Sequence, residues 1–470
     1  MGTAERSPPA GGIYNTFVGI FILPFINRFL SSIVDGSSMK LAVEIVPSRR
    51  KLGFGALKNG GKASDDDVVT LYIEHPINFC WLLLLDQKIG LGEAYMAGDW
   101  HAKPGIKAFL MLLIKAKKEK AKLRGPSARK HTEPSAIGAI FAGIGTVFLQ
   151  LLRYLVSIYN YVIHRIKDNT LVGSAQNMKD HYGLGNDMFK LFLDDTLTYS
   201  SAIFDDNNLY APLPDPITQK EEYDRHAEFQ NVKIDSLLEL LTLSDKDHVL
   251  EIGCGWGAMG VRAAQRFGCK WTGLNVCSEQ LEIARQRIRD GGVEHLVEFK
   301  LCDYRLDKGT YSRVVSVEMI EHVGEKFLGE YFQVIQDRLT PGGRGVVQSI
   351  ICPDAYYNSY KNSSDFIKKH IFPGGHLPSI GAMRNALPLD RKNNPIMHME
   401  IGRHLAHHYS RTLDHWLAGW DAHEKEALSI GYSRTFHRKW QFYFGLCSAL
   451  FFSDHIDVIQ FTLDKPLSAH

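Results

Sequence analysis

The sequence has no surplus of charge of either sign: 54 Lys and Arg residues offset 52 Asp and Glu residues, leaving a formal net charge of +2 over 470 residues. Nucleic-acid-binding domains carry a marked basic surface, so this balance argues against a nucleic-acid partner. Apolar residues make up 45% of the chain and aromatic residues 11%, which excludes bulk disorder. The length leaves room for two or three domains with ordinary cores.

Cysteine is scarce and scattered. The seven cysteines include no CxxC pair, which argues against a disulfide scaffold or a zinc cluster and favours a reducing compartment such as the cytoplasm. The histidines between His398 and His415 also lack the spacing of a compact zinc site with companion cysteines. We therefore predict no metal.

The amino-terminal region lacks an unbroken apolar run of membrane-spanning length. Residues 13–34 are strongly apolar, but Pro24 and Asn27-Arg28 interrupt them. We predict that region 1–36 is a membrane anchor, either interfacial or an uncleaved signal anchor.

Residues 37–130 have the pattern of a small α+β domain. LAVEIV (41–46) and VVTLYIEH (68–75) are typical of strands, and an apolar helix is predicted over 106–114. We expect this domain to present a lipid or to pair two subunits as a homodimer.

A basic segment and an apolar segment follow. KAKKEKAKLRG (115–125) precedes the uncharged stretch 135–152, within a predicted linker that spans 131–172. Basic residues beside an apolar helix suit an anionic membrane surface. A helix buried within the protein explains the apolar stretch equally well, so both interpretations stay open.

Residues 173–470 alternate between strand and helix patterns. VLEI, WTGLNV, VEFKLC, RVVSVEM and RGVVQSI are short apolar strands, separated by helical stretches such as SEQLEIARQRIRD. The alternation predicts an α/β fold, a Rossmann-like doubly wound sheet.

A glycine-rich turn follows the first of these strands. In VLEIGCGWG (249–257) an apolar strand runs into Gly253, Gly255 and Gly257, which let backbone approach a ligand at the carboxyl edge of the sheet. Asn275 ends the next strand, where a ribose-binding group belongs in such folds. With Asp303-Tyr304 after the third strand and EMIEH (318–322) after the fourth, the set resembles a class I S-adenosylmethionine-dependent methyltransferase.

A more specific resemblance rests on further motifs in order. The chain is similar to the family of cyclopropane-fatty-acyl-phospholipid synthases and mycolic acid cyclopropane synthases. The motifs are GLGEAYMAGDW (90–100), HYGLGN (181–186), LTYSSA (197–202), EHVG (321–324), IFPGGHLPS (371–379), HY (408–409), GLC (445–447) and IDVIQFTLDKP (456–466).

The resemblance implies a reaction, a cofactor and partners. The enzyme would transfer a methylene group from S-adenosylmethionine to the cis double bond of an unsaturated phospholipid acyl chain, forming a cyclopropane while peripheral to or anchored at a bilayer surface. The implied cofactor-binding residues are Tyr199, Ser200, Glu251, Gly253, Cys254, Gly255, Gly257, Asn275, Gln280, Asp303 and Tyr304.

The family likeness also implies a bicarbonate ion as the catalytic base. Glu321, the Ile350 backbone and Tyr409 would hold it. Ser201 and Gln348 stand where many members have cysteine and histidine, and both can still donate hydrogen bonds to an anion. Cys447 matches a cysteine assigned to the active site of the family, although its apolar surroundings favour lining over nucleophilic attack.

Three other functions remain open at this point. A related lipid methyltransferase would quench the same cation differently and give a methyl or methylene branch. An N-methyltransferase would act on an amine or a lipid headgroup. A lipid-binding protein without activity is the third.

Overall fold

The computed structural model describes residues 18–59, 68–124, 185–211 and 219–467, together with Thr16, Leu155, Val156, Ile158, Tyr159 and Leu213. Nearly all of the predicted linker 131–172 and most of residues 1–17 lie outside the described residues. The chain divides into two compact units. The first contains Met1–Asn160 and Tyr432–Ser453, and the second contains Tyr161–Gly431 and Asp454–His470.

The first unit is built on a four-stranded sheet. Its strands are β1 (Lys40–Ile45), β2 (Arg50–Gly55), β3 (Val69–Ile73) and β4 (Trp100–Lys103), in the order β2-β1-β3-β4. Strands β1 and β3 are parallel, and the other two pairs are antiparallel. The helices are Val18–Ile22 (π), Leu23–Val34, Pro76–Leu85, Gln87–Ala97, Ile106–Arg124 and Arg434–Phe452, with 3₁₀ turns at Val46–Ser48 and Ala56–Asn59.

The described part of the apolar amino-terminal segment packs within the first unit. Helix Leu23–Val34 buries Ile26, Leu30 and Val34, which share one face at a four-residue spacing. Ile20 and Phe21, in the preceding turn, are 59% and 62% exposed. Among the described residues, no helix combines the length and apolar character needed to cross a bilayer.

The basic segment forms the end of helix Ile106–Arg124. Lys120 donates to the carbonyl of Ser32 at 2.7 Å. The Glu119 carboxylate accepts hydrogen bonds from the backbone and hydroxyl of Ser38, both at 2.8 Å. The segment is therefore an ordered helix end that also bonds within its own unit.

The second unit is built on a seven-stranded sheet. Its strands are β5 (His248–Ile252), β6 (Lys270–Asn275), β7 (Val297–Leu301), β8 (Tyr311–Val317), β9 (Leu339–Ile351), β10 (His398–His404) and β11 (Asp457–Asp464), in the order β10-β11-β9-β8-β5-β6-β7. Strands β5 to β9 are parallel, and β11 and β10 add antiparallel pairs at one edge. The predicted α/β Rossmann-like fold is confirmed. The histidine-rich segment that contributes β10 was not predicted as a strand.

Helices flank this sheet. The longer ones are Gln219–Leu241, Ala258–Phe267, Ser278–Asp290, Leu328–Arg338 and Ala406–Ala422; the shorter ones are Asn186–Phe189, Asp206–Leu209, Asp354–Lys361, Phe366–His370, Ile380–Asn385 and Glu424–Ser429, with 3₁₀ turns at Ile320–His322 and Glu325–Phe327. Strand β5 is buried along almost its whole length, as expected for a central parallel strand covered on both faces. The carboxyl ends of β5, β6, β8 and β9 therefore meet at one edge, where ligands bind in such folds.

The helix near the carboxyl terminus belongs to the first unit. The sequence assigned 173–470 to one catalytic domain, whereas Tyr432–Ser453 groups with the amino-terminal residues. Within that unit, helix Arg434–Phe452 packs on Gln87–Ala97 and Ile106–Arg124. Arg438, for example, donates to the carbonyl of Tyr95 at 3.1 Å.

Candidate active site

The glycine-rich turn between β5 and helix Ala258–Phe267 depends on residues without a side chain. Gly253, Gly255 and Gly257 all have positive φ, at 83°, 50° and 83°. A Cβ on Gly257 would lie 2.6 Å from the Phe299 ring, whereas one on Gly255 would meet open space. Gly257 is thus required by packing, and Gly255 leaves room beside the turn.

A cavity at the carboxyl edge of the sheet contains most of the residues predicted to bind the cofactor. Of those, it is lined by Tyr199, Ser200, Glu251, Gly253, Cys254, Gly255, Gly257, Asn275 and Gln280. The remaining two, Asp303 and Tyr304, line an adjoining cavity that shares Gly253 and Asn275 with the first. All eleven positions therefore lie around one continuous region of the sheet edge.

Asn275 joins the ends of β5 and β6. Its amide donates to the carbonyl of Gly255 at 3.0 Å and to Gln280 Oε1 at 2.9 Å. Its own oxygen accepts from the Cys277 backbone at 3.0 Å. Through these hydrogen bonds the Asn275 side chain orders the glycine turn.

Two predicted cofactor carboxylates already have protein partners. Asp303 accepts from Arg305 through both of its oxygens, at 2.9 and 2.7 Å. Glu251 accepts from the Trp271 indole at 2.8 Å, and burial raises the pKa of its carboxyl to about 7. Both carboxylates therefore line the cavity and are held in place by hydrogen bonds to Arg305 and Trp271.

The residues fit the methyl donor that the motifs imply. The open space at Gly255 admits a ligand against the backbone, and the Tyr304 ring lines the adjoining cavity. Tyr199, Ser200 and Glu251 supply hydroxyl and carboxyl groups on the other side. A nucleoside carrying an amino acid needs this combination of polar groups and a close backbone.

A second cluster adjoins this cavity and centres on Glu318, a residue to which the motifs assigned no role. Glu318 Oε1 accepts from the backbone N–H of Ser201 at 2.9 Å and from Gln348 Nε2 at 2.8 Å. The Tyr409 side chain also hydrogen-bonds to this carboxylate. Glu318 itself lines the cofactor cavity.

These contacts change the role predicted for Ser201. Its hydroxyl was expected to hold an anion, but it donates to the carbonyl of Ala202 at 3.0 Å. Its backbone N–H provides the donor that faces Glu318.

Glu321 lies in the same cluster. Its Oε1 accepts from the backbone N–H of Ile350. Its Oε2 is buried without a hydrogen-bond partner. Burial, and to a lesser extent the negative charge of Glu318, raises the pKa of the Glu321 carboxyl to about 8.

The groups predicted to cradle bicarbonate are thus engaged by carboxylates of the chain itself. Ser201, Gln348 and Tyr409 bond to Glu318, and Ile350 donates to Glu321. A free bicarbonate at this place would add a third anion beside two carboxylates that already accept hydrogen bonds from these groups. The cluster as it stands does not fit that ion.

Lys233 is the buried cation of this region and was also missed. Its ammonium donates to Ser200 Oγ at 2.7 Å and lines the cofactor cavity. Burial lowers its pKa to about 8, against the opposing attraction of Glu318, Asp194 and Glu251. Two sequence signals could have pointed to the missed residues. Lys233 is a lysine inside an amphipathic helix, and Glu318 is a glutamate at a strand end, three residues before Glu321.

Aromatic rings border the polar cluster. The ring of Trp416 lies 5.0 Å from that of Tyr199 and 5.9 Å from that of Tyr409, measured between centroids. The π-faces of such rings attract positive charge, so a cation is tolerated beside them.

Cys447, the remaining predicted site residue, lies on helix Arg434–Phe452 in the first unit. The other predicted residues all belong to the second unit. Among the residues that the structure describes, no group of three or more His, Cys, Asp or Glu side chains is arranged to hold a metal ion.

Comparison with known proteins identifies relatives along most of the chain. The family model for mycolic acid cyclopropane synthetase matches residues 170–461. "Tuberculostearic acid methyltransferase UfaA1" of Mycobacterium tuberculosis is 32% identical over 402 residues, covering 85% of this chain and 84% of that protein. The cyclopropane-fatty-acyl-phospholipid synthase of Escherichia coli K12 is 27% identical over 439 residues, covering 92% and 95%.

A solved structure agrees with the fold. The crystal structure of the mycolic acid cyclopropane synthase CmaA1 complexed with SAH and CTAB is 26% identical, covers 62% of this chain and 98% of that one, and superposes with a TM-score of 0.52. The resemblance predicted from the motifs is confirmed.

Proposed function

The chain belongs to the mycolic acid cyclopropane synthetase family of S-adenosylmethionine-dependent methyltransferases, and on that premise we propose that it cyclopropanates the cis double bond of an unsaturated phospholipid acyl chain. The single observation that carries the proposal is the position of two carboxylates beside the cavity for the methyl donor, the half-buried Glu318 and the buried Glu321. Methylation of carbon at an alkene needs a base close to the transferred methyl group.

An alkene is a poor nucleophile, so orientation has to supply much of the rate. The donor contributes an electrophilic methyl group on a sulfonium. Well-oriented reactants gain roughly 7–11 kcal/mol relative to free ones. The glycine turn and Asn275 fix one partner, while Tyr199, Tyr409 and Trp416 border the region where the alkene would lie.

Attack by the alkene forms a carbon–carbon bond and breaks the carbon–sulfur bond, whose electron pair stays on sulfur. The chain carbon that loses its π electrons becomes a cation. Aromatic faces stabilise such charge by about 0.5–2 kcal/mol. Loss of a proton from the new methyl group then lets the C–H electron pair close the ring.

A bilayer substrate is supported by an exposed apolar patch in the first unit, formed by Ile20, Phe21, Ile77 and Trp81. Their exposure is 59%, 62%, 41% and 51%. The elements that carry them, Val18–Ile22 and Pro76–Leu85, contact each other. Apolar side chains of this kind insert at the boundary between headgroups and acyl chains. The Escherichia coli relative, named a cyclopropane-fatty-acyl-phospholipid synthase, aligns over 92% of this chain.

A second product deserves a test because the relative at 32% identity is named a tuberculostearic acid methyltransferase. In that case a hydride shift would move the positive charge to the carbon that carries the new methyl group, and loss of a proton from that methyl would give a methylene branch. A saturated methyl branch would then need a separate reductant. The methyl donor, the acyl substrate and the cation are common to both outcomes.

The test is incubation of the full chain with S-adenosylmethionine and bilayers of unsaturated phosphatidylethanolamine and phosphatidylglycerol, followed by fragmentation of the lipids in a mass spectrometer. A CH₂ added across the former double bond and resistant to mild hydrogenation is expected. A hydrogenation-sensitive branch would replace cyclopropanation by the second product. Addition to the headgroup nitrogen, or no modified lipid, would overturn the proposal.

A further inference from the structure

Glu318 occupies a backbone position that an L-residue adopts at a cost. Its φ is +49°, immediately after β8. Residues other than glycine are strained in such conformations, which persist where the surrounding structure imposes them and cluster at functional sites. The position therefore carries a half-buried carboxylate where glycine would be less strained.

Donors from separate parts of the second unit converge on that carboxylate. Ser201 lies 117 residues before Glu318, and Gln348 lies 30 residues after it. Both donate to the same oxygen, and Tyr409 bonds to the same carboxyl group. Hydrogen bonds from an N–H, an amide and a phenol favour the ionised form.

The two carboxyl groups differ in what offsets their burial. Burial raises the pKa of Glu318, and the Ser201 N–H, the Gln348 amide, the Lys233 ammonium and the Tyr409 side chain act in the opposite direction. Burial and the charge of Glu318 raise the pKa of Glu321 to about 8, against its own N–H, the Ile350 N–H and the Ser349 side chain. Of the two carboxyl groups, Glu318 is the one with a cation, Lys233, among the groups that favour its anion.

We propose that Glu318 is the resident base that removes the proton from the transferred methyl group, so that this chain needs no bicarbonate. The inference rests on the function proposed above. Glu318 lines the cavity for the methyl donor and is held by Ser201, Gln348 and Tyr409, which are the groups predicted to hold the ion. The geometry thus puts a covalently attached carboxylate where an exchangeable one was expected.

The step balances without a co-reactant. The C–H bond of the new methyl group breaks, its electron pair forms the third ring bond to the cationic carbon, and the proton passes to a Glu318 oxygen. Glu318 leaves the step as a neutral acid and returns to the anion by releasing the proton to solvent.

The experiment compares the wild type with Glu318→Gln, Glu318→Gly and the exposed control Glu294→Gln, in carbon-dioxide-free buffer and in buffer with added bicarbonate. Glu318→Gly removes the carboxylate and relieves the backbone strain, so it guards against loss of folding in Glu318→Gln. Circular dichroism and calorimetric affinity for S-adenosylhomocysteine establish that each variant is folded. Lipid product is measured by mass spectrometry.

The wild type and Glu294→Gln are expected to give equal turnover in both buffers. Both Glu318 variants should lose on the order of 100-fold or more, the usual contribution of a general base. Bicarbonate should partly restore Glu318→Gly, whose donors are vacated, but not Glu318→Gln. In a readout independent of turnover, carbon-13 NMR should detect bound labelled bicarbonate in Glu318→Gly and not in the wild type.

Wild-type turnover that collapses without bicarbonate would overturn the inference, as would full activity of Glu318→Gln. Both results leave the proposed function standing, since lipid product is still formed. A wild type that yields no modified acyl chain in either buffer overturns the proposed function and, with it, the assignment of Glu318.

Discussion

Gln460 fixes the orientation of Gln348. Gln460 Nε2 donates to Gln348 Oε1 at 2.9 Å, and Ser236 in turn donates to Gln460 Oε1 at 3.1 Å. Both glutamines are fully buried. With its oxygen committed to Gln460, Gln348 can present only its N–H₂ group to Glu318.

Replacing Gln460 by Met should release that constraint. A buried hydrogen bond left unsatisfied costs about 1–3 kcal/mol, so we expect the free energy of unfolding to fall by that amount. Because the Gln348 amide can then rotate, Glu318 loses a donor and the pKa of its carboxyl rises. Chemical denaturation measures the loss of stability. The pH profile of turnover measures the pKa change, and its acid limb should be displaced to higher pH.

A purely structural role for Gln460 would lower stability and leave the pH profile unmoved. Gln460→Glu provides the matched comparison, since its carboxylate accepts where Gln460 donates and turns the Gln348 oxygen toward Glu318. We expect turnover of this variant to fall below that of Gln460→Met.

Alanine at two glycines of the turn should separate stability from cofactor affinity. At Gly257 the new Cβ meets Phe299 at 2.6 Å, which adds about 1–3 kcal/mol of overpacking to the left-handed backbone cost of roughly 1–2 kcal/mol. At Gly255 the methyl meets no protein atom within 4 Å and occupies the cofactor cavity.

Thermal unfolding and calorimetry with S-adenosylhomocysteine measure the two effects. Gly257→Ala should lower the melting temperature substantially. Gly255→Ala carries the left-handed backbone cost without the overpacking, so it should lower the melting temperature less and lose affinity. Equal affinity of Gly255→Ala and wild type would place the ligand elsewhere.

Glu321→Gln should keep most of the turnover and the affinity for S-adenosylhomocysteine. Glu318 and not Glu321 is the proposed base, and Glu321 is absent from the lining of both cofactor cavities. Steady-state turnover and calorimetry on the same preparation test these two expectations. Loss of turnover with affinity retained would give Glu321 a part in the proton transfer and contradict its assignment to Glu318 alone.

The raised pKa of Glu321 predicts that the stability of the wild type depends on pH, which the same variant can test. The pKa of Glu321 is raised from 4.5 to about 8 on folding, so the native state binds more protons than the unfolded chain between those values. Stability contributed by this group is therefore complete below about pH 4.5 and is lost as pH rises through 8. Urea unfolding measures the free energy of unfolding of both proteins. The value for the wild type minus the value for Glu321→Gln should decline across that pH window, and a difference that does not change with pH would contradict the raised pKa.

Charge in the exposed apolar patch should weaken membrane binding. Trp81→Asp and Phe21→Asp each remove apolar area and place a carboxylate against anionic lipid. Vesicle flotation with phosphatidylglycerol should lose most of the bound protein, with turnover on detergent-dispersed lipid preserved. Leu389→Asp, at a residue of the second unit that is 50% exposed, is the control and should float like wild type. Equal flotation of all variants would exclude the patch as the membrane-binding surface.

Local sequence was sufficient for the five parallel strands of the larger sheet and for the glycine turn. VLEI and WTGLNV became β5 and β6 within one residue at most ends, and SEQLEIARQRIRD is helix Ser278–Asp290. These elements follow from short-range patterns, namely apolar strands ending in turn residues and a 3.6-residue apolar period. The ordered motifs identified the family and its methyl donor because they too are short-range sequence patterns.

The base and its surroundings were decided by tertiary structure. Glu318 was visible only as a residue at a strand end, and nothing local relates it to Ser201 or to Lys233. Cys447 follows the catalytic motifs in the sequence, yet its helix packs in the first unit. A carboxylate becomes a base, a spectator or a structural acceptor through the donors, charges and burial around it. In this chain those come from positions 30 to 117 residues away, which only the folded sheet and its helices bring together.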